Sequence, residues 1–161
     1  MYHHVLVAVD GSPSSDLALR EALKLSSAGA KLTVVTVVDN PFVTYDERSP
    51  YFSGFNFAAA HAEFVQEAEM ILEDAEEDAD RIAGVQVETR LIDLGMKANH
   101  SEIAGAIEKA AKDTEADVIV LGTHGRKGVK RFFMGSIAEQ VIRQSRFPVL
   151  LVRDQSADRP C

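Results

Sequence analysis

Glycines and basic residues are concentrated in one stretch of the chain, residues 122–136, with the sequence GTHGRKGVKRFFMGS. The stretch follows the apolar run VIVL and holds four glycines and four basic residues but no acid, in a chain whose net charge is −8. Glycine lets backbone N–H groups approach a ligand with no Cβ in the way. Ser136 begins a predicted helix, whose free N–H groups and dipole favour an anion. The stretch therefore predicts a phosphate-binding loop built on Gly122, Gly125, Gly135 and Ser136.

Each of these residues also has a purely structural explanation. Ser136 and Glu139 have the spacing of a capping box, which would only begin a helix. Gly122 could serve only to turn the chain after a strand. One or two of the basic residues of the stretch, such as Arg126, are expected to contact phosphate, and the others are expected to be solvated. The joint pattern favours phosphate binding.

A second candidate group follows the first apolar run, where the sequence reads VDGSP. Asp10 could accept a hydrogen bond from a ligand's sugar or base, or hold a metal ion through water. Its structural alternative is a carboxylate at the start of a helix. The chain has neither a G-x-x-x-x-G-K-[ST] phosphate loop nor a G-x-G-x-x-G motif after this run.

The elements that must position these groups follow from the spacing of apolar residues, which alternates between short runs and long helical segments. Strands are predicted over residues 5–9, 32–38, 85–92, 117–121 and 147–152. Helices are predicted from Ser12-Pro13 to Gly29 and over residues 58–83, 101–112 and 136–145. This alternation predicts an α/β fold, a single doubly wound domain over residues 1–153 with a parallel sheet and helices on both faces. Residues 154–161 are expected to form a disordered tail.

The strands differ in a way that predicts their order in the sheet. The third strand alternates apolar and polar residues, and the fifth carries Pro148, so both are expected at edges. With right-handed crossovers the simplest order is 3-2-1-4-5. Ligands in open α/β sheets bind outside the carboxyl ends of the strands where this order reverses. Those ends are Asp10-Gly11 and Gly122-Thr123, so both candidate groups fall at one place.

Composition excludes several other classes of protein. The net charge of −8 over 161 residues argues against a general nucleic-acid or membrane surface. The only cysteine, Cys161, permits no intrachain disulfide, and no apolar run approaches the ~20 residues of a membrane span. With no signal-peptide pattern at the N-terminus, a cytoplasmic location is expected. The five histidines lack metal-ligand spacing, so no protein metal ligands are predicted, and any Mg²⁺ would arrive held by phosphates and water.

The segments AVDGS (residues 8–12) and HGRKG (124–128), together with the glycine spacing, resemble the universal stress protein family of the ATP-binding kind. VIVLGTHG and SIAEQVIRQSRFPVLLVR are similar to its C-terminal half. The resemblance implies ATP, or else AMP or ADP, as ligand, and a homodimer formed along the last strand. It implies adenine near the ends of the first two strands, and ribose and phosphates on the glycine loop. The binding residues that it implies are Ala8, Asp10, Val38, Gly122, Thr123, His124, Gly125, Arg126, Gly135, Ser136 and Ile137. The chain departs from the family after Gly95: the family often has Gly-x-Pro there, whereas Gly95-Met96-Lys97 here leads into an unusual ANHS.

Three functions remain open at this point. The first is an ATP-binding regulatory module that couples bound nucleotide to a stress response or to partner binding. The second is a slow ATPase or autophosphorylating enzyme with Ser136 or Thr123 as acceptor, and the third is an interaction dimer without nucleotide. The glycine loop has no carboxylate to position an attacking group, which favours binding over turnover. The aromatic segment 39–57 could be a lid over the nucleotide, but packing against a helix or a dimer partner is the favoured interpretation.

Overall fold

The computed structural model describes residues 2–26, 29–38, 54–82, 84–95, 98–124 and 134–153. Most of the aromatic segment, the basic part of the glycine loop and the tail at 154–161 lie outside the described residues. The elements in chain order are β1 (His4–Ala8), α1 (Pro13–Ser26), β2 (Lys31–Val38), α2 (Phe57–Asp80), β3 (Gln86–Asp93), α3 (His100–Asp113), β4 (Val118–Gly122), α4 (Ser136–Gln144) and β5 (Val149–Val152).

All pairings in the sheet are parallel, and the strand order is β3-β2-β1-β4-β5, which confirms the predicted order. Ala8, at the end of β1, lies beside Val35 of β2 and Leu121 of β4. Farther out, Val38 pairs with Asp93 at the end of β3, and Gly122 pairs with Val152 at the end of β5. The carboxyl ends of the five strands therefore share one edge of the sheet.

The core lies in two layers because successive side chains of a strand point to opposite faces. On one face Val5 and Val7 of β1 pack with α1 and α2. On the other face Leu6 packs with α3 and α4. Both faces of β1 are fully covered, which is why this strand is a continuous apolar run rather than an alternating one.

Side-chain caps define the starts of α1 and α3. The Ser15 amide donates to Ser12 Oγ at 3.3 Å, so Ser12 caps α1 with Pro13 in its first position. Asn99 and Glu102 form a capping box at the start of α3, as their spacing of three residues favours.

The strand and helix limits differ from the prediction by at most three residues. β5 is shorter than predicted, since it begins after Pro148, whose ring nitrogen has no hydrogen to donate. The Pro148 carbonyl still accepts from the Ile119 amide at 2.9 Å, which leads the chain into pairing with β4.

The amino ends of β1 and β4 are joined by one carboxylate. Asp117, just before β4, accepts hydrogen bonds from the backbone amides of His3 and His4, the latter at 2.9 Å. These amides lower the pKa of the Asp117 carboxyl from its usual range, with the His3 amide contributing most. This contact lies at the amino edge of the sheet, opposite the predicted ligand site. None of the helices among the described residues is long and apolar enough to cross a membrane.

Candidate functional site

The crevice predicted from the strand order lies between β1 and β4. β1 continues through Val9, whose amide donates to the Val35 carbonyl at 2.9 Å and whose carbonyl accepts from Thr36 Oγ1 at 3.1 Å. Asp10 follows at the edge of the sheet and turns toward α1. On the neighbouring strand, Gly122 is the last residue of β4, and Thr123 and His124 carry the chain outward.

The start of α1 is hydrogen-bonded to the segment after β4. Ser12 Oγ donates to the His124 carbonyl at 3.3 Å, and Ser14 Oγ donates to the same carbonyl. In return, the His124 amide donates to Ser14 Oγ at 3.3 Å. Both serines are buried. Sequence reasoning missed this contact between Ser14 and His124, because nothing in the local pattern pairs a serine inside a helix with a loop 110 residues later.

Gly122 has a packing role that does not depend on a ligand. A Cβ at this position would lie 2.7 Å from the backbone carbon and oxygen of Ser14 and closer still to its Oγ. Such distances are far inside van der Waals contact, so only glycine lets α1 pack this closely against β4. Gly122 therefore has a role in the fold, which is close approach to α1 rather than the expected turn, and its contact with a ligand stays a prediction.

Asp10 stands at the start of α1, as its structural alternative predicted. Its Oδ1 accepts from the Ser12 amide at 3.0 Å, and its own amide donates to Ser15 Oγ at 3.3 Å. This arrangement shapes the turn from β1 into α1. A contact between Asp10 and a ligand stays a prediction.

The start of α4 is the part of the crevice best suited to an anion. The N-cap residue of α4 is Gly135, which has no side chain to bond to the first turn, and Ser136 is the first helical residue. The capping box expected of Ser136 and Glu139 is therefore wrong. Glu139 instead pairs with Arg143 one turn on, at 2.8 Å.

Backbone amides around the crevice divide into two groups. Those of Thr123, His124 and Gly135 already donate within the protein, to the Val152 carbonyl, Ser14 Oγ and the Thr123 carbonyl respectively. The first amides of a helix have no acceptor within the helix itself. Among the described residues, the amides of Ser136, Ile137 and Ala138 find no acceptor within the protein, and the first two lie nearest the open end of the helix, where an anion could use them. Gly125 and Arg126 lie outside the described residues.

The other side of the crevice is acidic. A cavity of about 660 Å³ opens between the start of α1 and the face of α2. Its wall carries two arginines, Arg20 and Arg81, against six carboxylates, which are those of Asp10, Asp16, Glu67, Asp74, Glu77 and Asp78. This excess of negative charge disfavours a polyphosphate, so charge directs an anionic ligand toward α4 rather than toward α2.

The predicted adenine end of the site is formed by the last residues of β1 and β2. Ala8 is half-buried and Val38 is buried. Beside them His61 of α2 lies with Nε2 3.0 Å from Asp93 Oδ2, while the Gly95 amide donates to Asp93 Oδ1 at 2.8 Å. The Gly95 hydrogen bond, and after it His61, hold the pKa of Asp93 below its usual range. This pair fixes the start of α2 against the end of β3.

A second histidine that sequence reasoning left unassigned lies near the start of α4. His100 Nε2 is 3.5 Å from Ser136 Oγ, so the first residues of α3 and α4 meet. The signal in the sequence was the unusual ANHS after Gly95, where a capping residue is followed directly by a histidine. As for metals, no group of three or more His, Cys, Asp or Glu side chains among the described residues is placed to hold an ion.

The sheet is open and parallel, and its strand order reverses between β1 and β4. This architecture defines an α/β protein of the doubly wound class. A family model described as universal stress protein family matches residues 1–153. A putative universal stress protein of Staphylococcus saprophyticus is 35% identical over 155 residues, 96% of this chain and 85% of that protein. The chain belongs to the universal stress protein family.

Solved structures of the same family have this fold. A universal stress protein family member from Burkholderia pseudomallei is 33% identical, with a TM-score of 0.72 over 94% of this chain and 96% of its own. A universal stress protein crystallised in complex with cAMP is 25% identical, with a TM-score of 0.61 over 94% of this chain and 97% of that one. Family members are thus known in which the fold carries a nucleotide.

Proposed function

We propose that the protein is a regulatory module that binds an adenine nucleotide, ATP in the first place, in the crevice between β1 and β4. The phosphates would lie on the amides of Ser136 and Ile137, and the adenine near Ala8, Asp10 and the backbone of Val38. Bound nucleotide would then bias the partners or the shape of the protein during a stress response in the cytoplasm. AMP and ADP are the other candidate ligands, and Mg²⁺ would be held by the phosphates and water.

The single observation that carries this proposal is the uncapped first turn of α4 at the switch point of the sheet. Its amides are aligned with the positive end of the helix dipole, and among the described residues no side chain caps them. The helix has nine residues, long enough for that dipole to develop. The relative that holds cAMP supports a phosphate-bearing nucleotide over a simple anion.

We also propose a homodimer formed along β5. This strand pairs only with β4 among the described elements, so its outer backbone groups form an edge. Leu150 on β5 is 38% exposed and Ile142 on the adjoining α4 is 42% exposed. An edge strand flanked by large exposed apolar side chains suits pairing with a second copy of the chain.

Native mass spectrometry of the protein purified without added nucleotide tests the proposed ligand. We expect a fraction of the protein to carry an extra mass equal to an adenine nucleotide, which is lost on denaturation. Protein without any such mass should gain it when ATP is added at millimolar concentration. If no adduct forms under either condition, the interaction dimer without nucleotide becomes the better description.

A further inference from the structure

We propose that His100 is a residue of the phosphate site and that its charge lets the protein distinguish nucleotides by their number of phosphates. This inference rests on the proposed function, since it concerns the same crevice. Its basis is the contact between His100 Nε2 and Ser136 Oγ at 3.5 Å, which places the imidazole beside the first residue of α4. A phosphate held on the amides of Ser136 and Ile137 would lie within reach of the same ring.

The two helix starts that meet at this contact are built differently. The first turn of α3 is satisfied by its own side chains, because Asn99 Oδ1 accepts from the amides of Ser101 at 2.9 Å and Glu102 at 3.0 Å. The first turn of α4 has no such cap. An anion is therefore expected to settle on α4, while α3 contributes to it only the side chain of His100.

The charged groups on the helices around His100 are engaged with partners of their own. On its own helix Glu102 is occupied with the Asn99 amide at 2.7 Å. On α4, Glu139 is paired with Arg143. Among the charged residues of the strands under α3, Asp93 lies at the carboxyl edge of the sheet, where His61 and the Gly95 amide engage it. Glu88 and Arg90 lie within β3 and pair with each other, and His4 and Lys31 lie at the amino edge. After β4, His124 has its Nδ1 2.9 Å from Thr123 Oγ1. Histidine is the side chain that gains a proton between pH 8 and pH 5.

The chemical consequence is a charge-assisted hydrogen bond from the imidazolium to a terminal phosphate. A β- or γ-phosphate extends farther from the ribose than the single phosphate of AMP, and it carries additional negative charge. His100 should therefore strengthen binding of ATP more than binding of AMP. Since histidine side chains in general gain a proton between pH 8 and pH 5, the preference is expected to be larger at pH 6 than at pH 8.

The test is isothermal titration calorimetry of ATP and of AMP, at pH 6 and pH 8, with wild type, His100→Ala and His100→Lys. We expect His100→Ala to weaken ATP binding about fivefold to tenfold at pH 6, with AMP changed by less than about twofold. His100→Lys, which keeps its charge across this range, should retain the ATP preference at pH 8. The terminal phosphate itself titrates near pH 6. The pH dependence of ATP affinity assigned to His100 is therefore the part that wild type shows and His100→Lys does not.

His3→Ala is the matched control, since His3 lies at the opposite edge of the sheet and only its backbone amide contacts Asp117. It should leave both affinities unchanged. If wild type binds ATP but His100→Ala keeps the same ratio of ATP to AMP affinity, the role of His100 is overturned and the proposed function stands. If wild type binds neither nucleotide, both are overturned.

Discussion

Gly122 illustrates, at the scale of a single residue, how the crevice depends on an absent side chain. The sequence placed this glycine at the end of a buried strand and predicted that it would admit a ligand. The structure shows that it admits the helix α1, through Ser14. Sequence alone could not separate these explanations, because both require a glycine after the apolar run and the partner lies more than 100 residues away in the chain.

We expect Gly122→Ala to lower the free energy of unfolding by about 1–3 kcal/mol, as insertions into well-packed contacts do. The new Cβ would meet the backbone of Ser14, which cannot move aside as the end of a flexible side chain could. Urea unfolding followed by circular dichroism measures the change. Gly105→Ala is the control, since a Cβ there meets nothing within 4 Å and alanine in a helix interior should stabilise by about 0.5–1 kcal/mol. Equal stability of Gly122→Ala and wild type would contradict the packing role.

At the scale of elements, the carboxylate of Asp117 joins the start of β4 to the start of β1. Its pKa is lowered by the amides of His3 and His4, so the folded state favours the charged form. The stability that this contact contributes is present above an unfolded aspartate's pKa of about 3.9. It is lost as pH falls through the lower pKa of the folded state, because the unfolded chain then binds the proton more readily.

Asp117→Asn should therefore be less stable than wild type at pH 7, and the difference should shrink as pH falls below about 4. Unfolding by urea at pH 7, 5, 4 and 3 would measure this difference. Asp113→Asn serves for comparison, because Asp113 is an exposed carboxylate that pairs with Lys109 on the surface of α3. A difference between Asp117→Asn and wild type that stays constant from pH 7 to pH 3 would rule out the assigned contact.

The elements themselves were largely predictable, and the reason is local. Ser12-Pro13 and the Asn99–Glu102 pair are caps whose partners lie within three residues, so the sequence contains the whole interaction. The start of α4 was predicted at the right residue but with the wrong cap. Glu139 pairs with Arg143 instead of bonding back to the start of the helix. The Gly135 amide donates to the Thr123 carbonyl, a partner too far away in the sequence for a local pattern to predict. The contact between His100 and Ser136 was missed for the same reason.

At the scale of the whole molecule, the edge strand β5 determines how two copies would assemble. Leu150→Glu should shift the protein from dimer to monomer, because it places a charge where an apolar side chain would be covered by the second copy. Multi-angle light scattering at tens of micromolar measures the mass directly. Glu88→Lys on the opposite edge strand, β3, is the control and should leave the dimer intact. A monomeric wild type at that concentration would contradict the proposed dimer.

The strand order and the position of the crevice were predictable because edge strands and covered strands differ in pattern. The sequence of β3 alternates apolar and polar residues, Pro148 precedes β5, and β1 is buried on both faces. With right-handed crossovers these features predict the order of the sheet. The strand pattern could not predict the charge on either side of the crevice. The acidic wall between α1 and α2 combines residues from two helices that are far apart in the sequence.

The central claim is that the first turn of α4 holds a nucleotide phosphate, and calorimetric titration of ATP into Gly135→Val tests it most directly. Gly135 has φ −60° and ψ 144°, a backbone conformation that valine adopts readily, so the fold should survive while the branched side chain crowds the adjoining amides. Gly105→Val, in the open space beside α3, is the matched control. We predict that Gly135→Val loses about a hundredfold or more in ATP affinity while Gly105→Val binds as wild type. Unchanged ATP affinity in a folded Gly135→Val protein would contradict the account.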